Sequence, residues 1–140
     1  TRKLANELDL EDKVRFLGVR HDVPDLMNAA DAYVMSSARE GMPMVLLEAS
    51  ACGLPVVATD VGGNSEVVLS GTTGYIVPPR NPEALALGME KMMALPHEER
   101  CEMGKAGRAH IEANYSLDRV VDQWENLYKE LLQKKGLGDR

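Results

Sequence analysis

The sequence predicts an α/β domain built on a parallel sheet with helices on its flanks. Short apolar segments that suit strands alternate along the chain with segments of helical periodicity, and this alternation is typical of parallel sheets. The segment 55–59 (Pro-Val-Val-Ala-Thr) is almost wholly apolar, as expected of a strand covered on both faces. A length of 140 residues with 44% hydrophobic side chains suits one domain.

Four apolar segments predict strands, and helix signals between them predict the remaining elements. The predicted strands are 14–17, 32–35, 55–59 and 75–77. The predicted helices are 2–8, 22–30, 44–52, 65–69, one that begins at Pro82, 98–114 and 117–133. Asp22 is expected to cap its helix, with Pro24 in the first turn. Residues 1–133 are expected to form one ligand-binding domain, followed by a frayed tail over 134–140.

Composition excludes several classes of protein. A formal net charge of −6 argues against nucleic acid or an anionic membrane as a partner. Cys52 and Cys101 lie far apart, and His21, His97 and His110 are isolated, so no metal site is predicted. The sequence has neither a signal peptide nor an apolar run of membrane-spanning length. A cytoplasmic location is therefore expected.

Two other patterns are interpreted as packing rather than as ligand sites. Gly104 and Gly107 suit the close approach of a helix to its neighbour. The last predicted helix carries an apolar face with helical spacing, which is expected in a core or an interface. Its members are Val120, Val121, Trp124, Leu127, Tyr128 and Leu131.

Glu40 and Glu48 bracket the most informative segment. If 44–52 is a helix, it is apolar on nearly all sides and should be buried. Glutamate is almost never fully buried without a partner, so Glu48 should bind a ligand or an internal group. Alternatively, Glu40 is a solvated loop charge and Glu48 caps a structural network.

The position of this segment favours a phosphate ligand. Ligands of open parallel sheets bind beyond the carboxyl ends of the strands, where the loop 36–43 lies. The helix that follows begins near Pro43 and offers the backbone amides of Met44 and Val45 to a phosphate. Gly41 allows close approach of a ligand, and Glu48 can accept hydrogen bonds from vicinal hydroxyls. A nucleotide-sugar would match this pattern.

The segment 37–68 resembles the donor-binding core of retaining glycosyltransferases of the glycogen-synthase-like type, glycosyltransferase family 4. The pair Glu40 and Glu48, with seven residues between them, is followed by Gly-x-Pro-Val-Val at 53–57 and Gly-Gly-x-x-Glu at 62–66, in the family's order. The resemblance covers residues 9–132. It implies the C-terminal, Rossmann-like half of a GT-B fold, without that half's first strands.

The resemblance implies a role for each matching residue. Glu40 would be the catalytic residue that contacts the donor sugar, and Glu48 would hold the ribose hydroxyls. Backbone groups for the sugar and diphosphate would come from Gly41, Met42, Met44 and Val45. Glu66 would also bind the donor, although an acid in the first turn of a helix has a structural explanation as well.

The resemblance also implies the reaction. The full-length enzyme would be a hexosyltransferase that retains the anomeric configuration and takes a nucleoside-diphosphate sugar as substrate, with no protein-bound metal or other cofactor. A glycan or lipid-linked acceptor would bind a missing N-terminal domain, which could also associate peripherally with a membrane. A role in polysaccharide synthesis and an inactive isolated chain are expected.

Two departures from the family pattern carry structural consequences. Pro43 stands where many members have glycine and removes one backbone donor. The family's Arg and Lys for the diphosphate would precede Thr1. In the usual strand order 3-2-1-4-5-6, two missing strands would separate 14–17 from 32–35. A gapped or rearranged sheet, or pairing with another chain, is therefore expected, and a closed four-strand sheet is the alternative.

Two other functional classes remain open at the level of sequence. A non-hydrolysing nucleotide-sugar epimerase shares the architecture but needs a pocket histidine and other acid/base groups, which the sequence pattern does not place. A non-enzymatic α/β ligand-binding module, such as a phosphorylation receiver, needs an acidic cluster after its first strand. Gly18, Val19 and Arg20 stand there instead. The loop 18–22 could also line the pocket for the base.

Overall fold

The computed structural model describes residues 1–136 and forms an α/β domain. Its strands are β1 (Tyr33–Met35), β2 (Val56–Thr59) and β3 (Gly74–Val77). Its helices are α1 (Arg2–Glu7), α2 (Val23–Asn28), α3 (Met44–Ala51), α4 (Asn64–Val67), α5 (Pro82–Ala94), α6 (His97–Tyr115) and α7 (Leu117–Lys134). The predicted tail begins at the end of α7, and its residues 137–140 lie outside the described part.

The sheet is parallel throughout and has the order β1-β2-β3. Tyr33 pairs with Val56, and Val56 pairs with Gly74 on its other side. The carboxyl ends of the three strands therefore meet at one edge, where the loops after β1 and β2 begin. This confirms the predicted parallel α/β architecture.

Apolar side chains fill both sides of the sheet. The larger cluster joins one face of the sheet to α2, α3, α4 and α6. Its buried members are Met27, Met35, Leu46, Ala49, Leu54, Val56, Ala58, Val67, Val68 and Ile111. The smaller cluster, Val57, Tyr75, Val77 and Met92, joins the opposite face to α5. All four residues of β2 are buried, because β2 is the central strand and both of its faces are covered.

The predicted strand at 14–17 is wrong. The segment has no regular secondary structure, and Val14, Phe16 and Leu17 are exposed. A strand needs a neighbour to pair its backbone groups, and no strand among residues 1–136 lies beside this segment. The sheet is accordingly neither gapped nor four-stranded over the described residues.

The predicted cap at Asp22 is only half right. Asp22 is the N-cap residue of α2, but its side chain makes no capping hydrogen bond. Its carboxylate instead accepts hydrogen bonds from the guanidinium of Arg20, through Nε at 2.7 Å and through Nη2. This hydrogen bonding lowers the pKa of Asp22. The guanidinium engages both carboxylate oxygens, and in such a pair both partners are charged.

The two packing patterns have different outcomes. Gly104 permits the predicted close contact, since α6 crosses the turn after α3 at this residue. The apolar face of α7, by contrast, is not in the core: α7 has no buried residue. Trp124 and Tyr128 stack on each other on its surface, with ring centroids 5.7 Å apart.

Candidate functional site

The loop after β1 and the turn after β2 contact each other at the carboxyl edge of the sheet. The backbone amide of Gly63 donates to the carbonyl oxygen of Gly41 across 2.7 Å. Gly62 has a φ of +52°, and a methyl group there would lie 2.0 Å from the carbonyl oxygen of Glu40. Only glycine fits this position. The turn therefore fixes the backbone on which Glu40 stands.

The start of α3 has the free amides that the sequence predicts. Pro43 is the N-cap residue and makes no side-chain cap. No carbonyl among residues 1–136 accepts from the amides of Met44 and Val45. The space that a side chain on Gly41 would occupy is open. An anion can therefore reach these amides, and the positive end of the helix dipole favours it.

Glu48 is exposed, so its predicted burial is wrong. Helix α3 buries Leu46, Ala49 and Ser50 against the sheet and α6. The opposite face carries Met44 and Glu48, and no described element covers it. Glu48 therefore needs no internal partner, and its carboxylate is accessible to a ligand.

The phenol of Tyr33 is affected by the charges of both glutamates. Burial raises the pKa of Tyr33, and the nearby negative charges of Glu48 and then Glu40 raise this pKa further. Both carboxylates thus lie within electrostatic range of one phenol, that of Tyr33, the first residue of β1. The two carboxylates share one neighbouring phenol, that of a tyrosine that the motif does not contain, and their predicted roles stay predictions.

Glu66 has different surroundings. It is exposed on α4, and its carbonyl oxygen accepts a hydrogen bond from the hydroxyl of Tyr115 across 3.1 Å. Burial raises the pKa of Tyr115, and the charge of Glu66 raises this pKa as well. Glu66 is thus close to the end of α6, and its predicted contact with a donor stays a prediction.

Sequence reasoning missed three residues at this edge, and a fourth, Tyr33, that begins β1. Tyr33 lies beside the glutamates, while Thr59 and Asn64 are buried beneath the two loops. Arg80 supplies a cation and lines a cleft of about 220 Å³ with Ser36 and Thr59. A polar residue at the end of an apolar strand is a signal that could have found Thr59.

A larger cleft of about 530 Å³ lies beside the amino end of β3. Glu98, Glu99 and Glu102 line it, and these carboxylates would repel a diphosphate. The edge that carries Glu40 and Glu48 is therefore the better candidate for a phosphate ligand, because it combines free amides with a helix N-terminus.

The shared neighbour of the two glutamates gives a testable expectation. Glu48→Gln removes one negative charge near Tyr33 and should lower the pKa of Tyr33 while leaving that of Tyr115 unchanged. Glu66→Gln is the matched control and should do the reverse. Nuclear magnetic resonance (NMR) titration of the tyrosine ring carbons measures both values. A Tyr33 pKa that does not respond to Glu48→Gln would contradict the described geometry.

The sign of the related stability effect follows from the same shift. Folding raises the pKa of Tyr33 above its ordinary value of 10.0. The unfolded chain therefore loses this proton at a lower pH than the folded chain does. The contribution of Tyr33 to stability is complete below pH 10.0 and decreases as the pH rises through the folded pKa.

Comparison with known proteins identifies the family. The profile of the family described as "Glycosyl transferases group 1" matches residues 1–110, and the chain belongs to this family. N-acetyl-alpha-D-glucosaminyl L-malate synthase of Bacillus anthracis is 33% identical over 132 residues, which are 94% of this chain and 34% of that protein. The chain spans about a third or less of the length of such curated relatives.

Solved structures have the same fold. HepE of Anabaena, solved in complex with UDP, superposes with a TM-score of 0.84 at 28% identity, over 92% of this chain and 35% of HepE. HepE has also been solved with UDP-glucose. The C-terminal domain of a group 1 glycosyl transferase from Francisella tularensis superposes with a TM-score of 0.71 at 22% identity, over 83% of this chain and 60% of that one.

These findings confirm the predicted resemblance to glycosyltransferases with the GT-B fold and the predicted fold of this chain. The chain has the Rossmann-like α/β architecture of the C-terminal part of a GT-B glycosyltransferase, and the family is one of transferases. Among the described residues, no helix combines the length and the apolar content that crossing a bilayer requires.

Proposed function

We propose that residues 1–133 bind the donor of a retaining glycosyltransferase that moves a hexose from a nucleoside-diphosphate sugar to a glycan or lipid-linked acceptor. The observation that carries this proposal is the start of α3, where the amides of Met44 and Val45 have no carbonyl partner among residues 1–136, with Glu40 in the loop before it and an exposed Glu48 one turn into the helix. Membership of the group 1 family and the UDP complex of HepE support the proposal independently.

The proposed roles follow from where the residues lie. The amides of Met44 and Val45 bind the diphosphate, with the backbone amides of Gly41 and Met42 beside them. The carbonyl of Gly41 already accepts from Gly63, so only its amide is assigned to the ligand.

The carboxylates take the hydroxyl groups of the donor. Glu48, one turn into α3, accepts from the ribose hydroxyls. Glu40 positions the sugar at the reacting carbon. Glu66 is proposed to contact the donor only at the outer edge of the site.

Several parts of the proposal concern the whole enzyme. We assign the acceptor to a further domain, and for this reason the chain of 140 residues is expected to bind the donor without transferring its sugar. Peripheral membrane association would also belong to that domain. We propose no protein-bound metal, as the resemblance implies. Two free cysteines, Cys52 and Cys101, suit a reducing compartment such as the cytoplasm.

Donor binding is the experiment that tests the proposal. Ligand-observed NMR with UDP-, GDP- and ADP-glucose should show binding of one nucleotide-sugar to the chain. Glu48→Ala should weaken this binding about tenfold or more, since it removes charge-assisted hydrogen bonds to the ribose. Glu90→Ala is the control, because Glu90 is an exposed glutamate on α5, which covers the other face of the sheet.

Two results would contradict the proposal. One is the absence of binding by all three nucleotide-sugars. The other is an equal affinity of the Glu48→Ala and Glu90→Ala variants for the donor. Sugar transfer catalysed by the chain alone would contradict the assignment of the acceptor to a further domain.

A further inference from the structure

The last residue of β2 holds the loop that carries Glu40. Thr59 is 3% exposed, and its hydroxyl donates to the carbonyl oxygen of Ser37 across 2.6 Å. Ser37 lies three residues before Glu40. One buried hydrogen bond therefore ties the first half of the loop to the central strand.

Asn64 extends this connection to the turn after β2. The side chain of Asn64 is fully buried, and its amide Nδ2 donates to the carbonyl oxygen of Thr59 across 2.8 Å. The preceding residue, Gly63, donates its backbone amide to the carbonyl of Gly41. Thr59 is thus linked to the chain on both sides of Glu40, through Ser37 before it and through the turn after it.

Asn64 occupies this position at a cost to stability. No donor among residues 1–136 reaches its side-chain oxygen Oδ1, which is buried. A buried acceptor without a partner destabilises a folded protein. Packing alone would favour an apolar residue here, so the hydrogen bond from Nδ2 to Thr59 is the feature that distinguishes asparagine.

Glu40 needs such support because its own side chain has none. No hydrogen bond or ion pair joins the carboxylate of Glu40 to another described residue. The position of this carboxylate therefore depends on the backbone of the loop. A catalytic group acts efficiently only when its surroundings hold it in place.

We infer that Thr59 and Asn64 are positioning residues, which clamp the loop 37–41 so that Glu40 meets the donor sugar. This inference rests on the proposed function for its purpose, and the clamp itself can be measured without a ligand. Thr59 and Asn64 are 3% and 0% exposed, so the role assigned to them is to hold the loop and not to bind the donor.

A matched pair of valine variants tests the clamp. Thr59→Val removes the hydroxyl that donates to Ser37. Thr73→Val removes a hydroxyl that accepts from the amide of Leu69 across 2.9 Å. Thr59 and Thr73 are 3% and 2% exposed, but Thr73 precedes β3 at the opposite edge of the sheet. Each variant loses one buried hydrogen bond, and only one loses it at the loop.

Hydrogen exchange of the Gly63 amide is the first measurement, because this amide bonds to Gly41 directly after Glu40. Its protection should fall about fivefold or more in Thr59→Val, beyond the change of amides in β3. In Thr73→Val, the protection of the Gly63 amide should change only as much as that of the amides in β3. Thr59→Ser keeps the hydroxyl and should restore protection. If Thr59→Val does not fold, Asn64→Ala provides the same comparison.

Affinity for the nucleotide-sugar is the second measurement. Thr59→Val should weaken donor binding about fivefold, while Thr73→Val and Thr59→Ser should not. Unchanged protection of Gly63 in Thr59→Val would overturn the clamp. Lost protection with unchanged donor affinity would overturn its positioning role and leave the proposed function intact.

A third outcome separates the two proposals. A wild-type chain that binds no nucleotide-sugar would contradict the proposed function, and the positioning role would fail with it. The exchange of the Gly63 amide would still decide whether the clamp exists.

Discussion

Gly104→Ala should destabilise the domain by about 3 kcal/mol, whereas Gly107→Ala should leave its stability unchanged or raise it. Both glycines are buried in α6. A methyl group at Gly104 would lie 1.8 Å from the carbonyl oxygen of Gly53. The obstacle is backbone, so α6 must move away from the turn that follows α3.

Gly107 is the internal control for this comparison. A methyl group there would meet nothing closer than Thr73 Cβ at 3.6 Å, which is ordinary contact. Alanine is also favoured over glycine inside a helix by about 0.5–1 kcal/mol. Urea denaturation followed by circular dichroism measures both free energies of unfolding. Equal destabilisation by the two variants would show that α6 does not cross this turn as described.

Gly62→Ala should abolish most donor binding and destabilise the fold. The substitution places a methyl group 2.0 Å from the carbonyl oxygen of Glu40 and 2.6 Å from that of Gly41. The turn must then separate from the loop, and Glu40 shifts with it. We expect a loss of donor affinity of about tenfold or more, since a small displacement of a binding group removes its hydrogen bonds.

Gly71→Ala separates this clash from backbone strain. Gly71 also has a positive φ, +84°, but the space around it is open. Alanine disfavours the left-handed conformation, and this strain alone should lower the free energy of unfolding of each variant by about 1–2 kcal/mol. Only Gly62→Ala should also lose affinity for the nucleotide-sugar. The measurement is the ligand-observed NMR experiment proposed for Glu48→Ala. An equal effect of the two variants on binding would mean that the turn does not support the site.

Elements whose composition and periodicity reflect their burial could be predicted from the sequence. The apolar segment 55–59 predicts a strand covered on both faces, and Val56–Thr59 is such a strand. The predicted helix 98–114 is observed as His97–Tyr115. In both cases, periodicity and composition reflect the burial of each residue, and the surroundings are consistent with that burial.

Elements that depend on a neighbour could not be predicted in this way. The segment 14–17 has the composition of a strand, but composition does not supply the strand beside it. Nearly every side chain of α3 is apolar, so the sequence does not say which face is left uncovered. That face proved to be the one with Glu48, and the prediction of a buried carboxylate failed for this reason.

The candidate site shows the same division. Glu40, Glu48 and the start of α3 are close in sequence, so their spacing predicts their arrangement. The hydrogen bond from Thr59 to Ser37 joins residues that are 22 positions apart. The contact between Gly62 and Glu40 is of similar range. Such contacts depend on how β1 and β2 align, and local patterns do not specify that alignment.

The exposed last helix has a consequence for how the molecule unfolds. Helix α7 has no buried residue, so its 18 residues depend on their own backbone hydrogen bonds and on limited contact with α6. The central strand β2 is buried on both faces and opens only when the whole domain unfolds. We therefore expect residues 117–134 of this chain to have low local stability and to open while the sheet beneath the site stays intact.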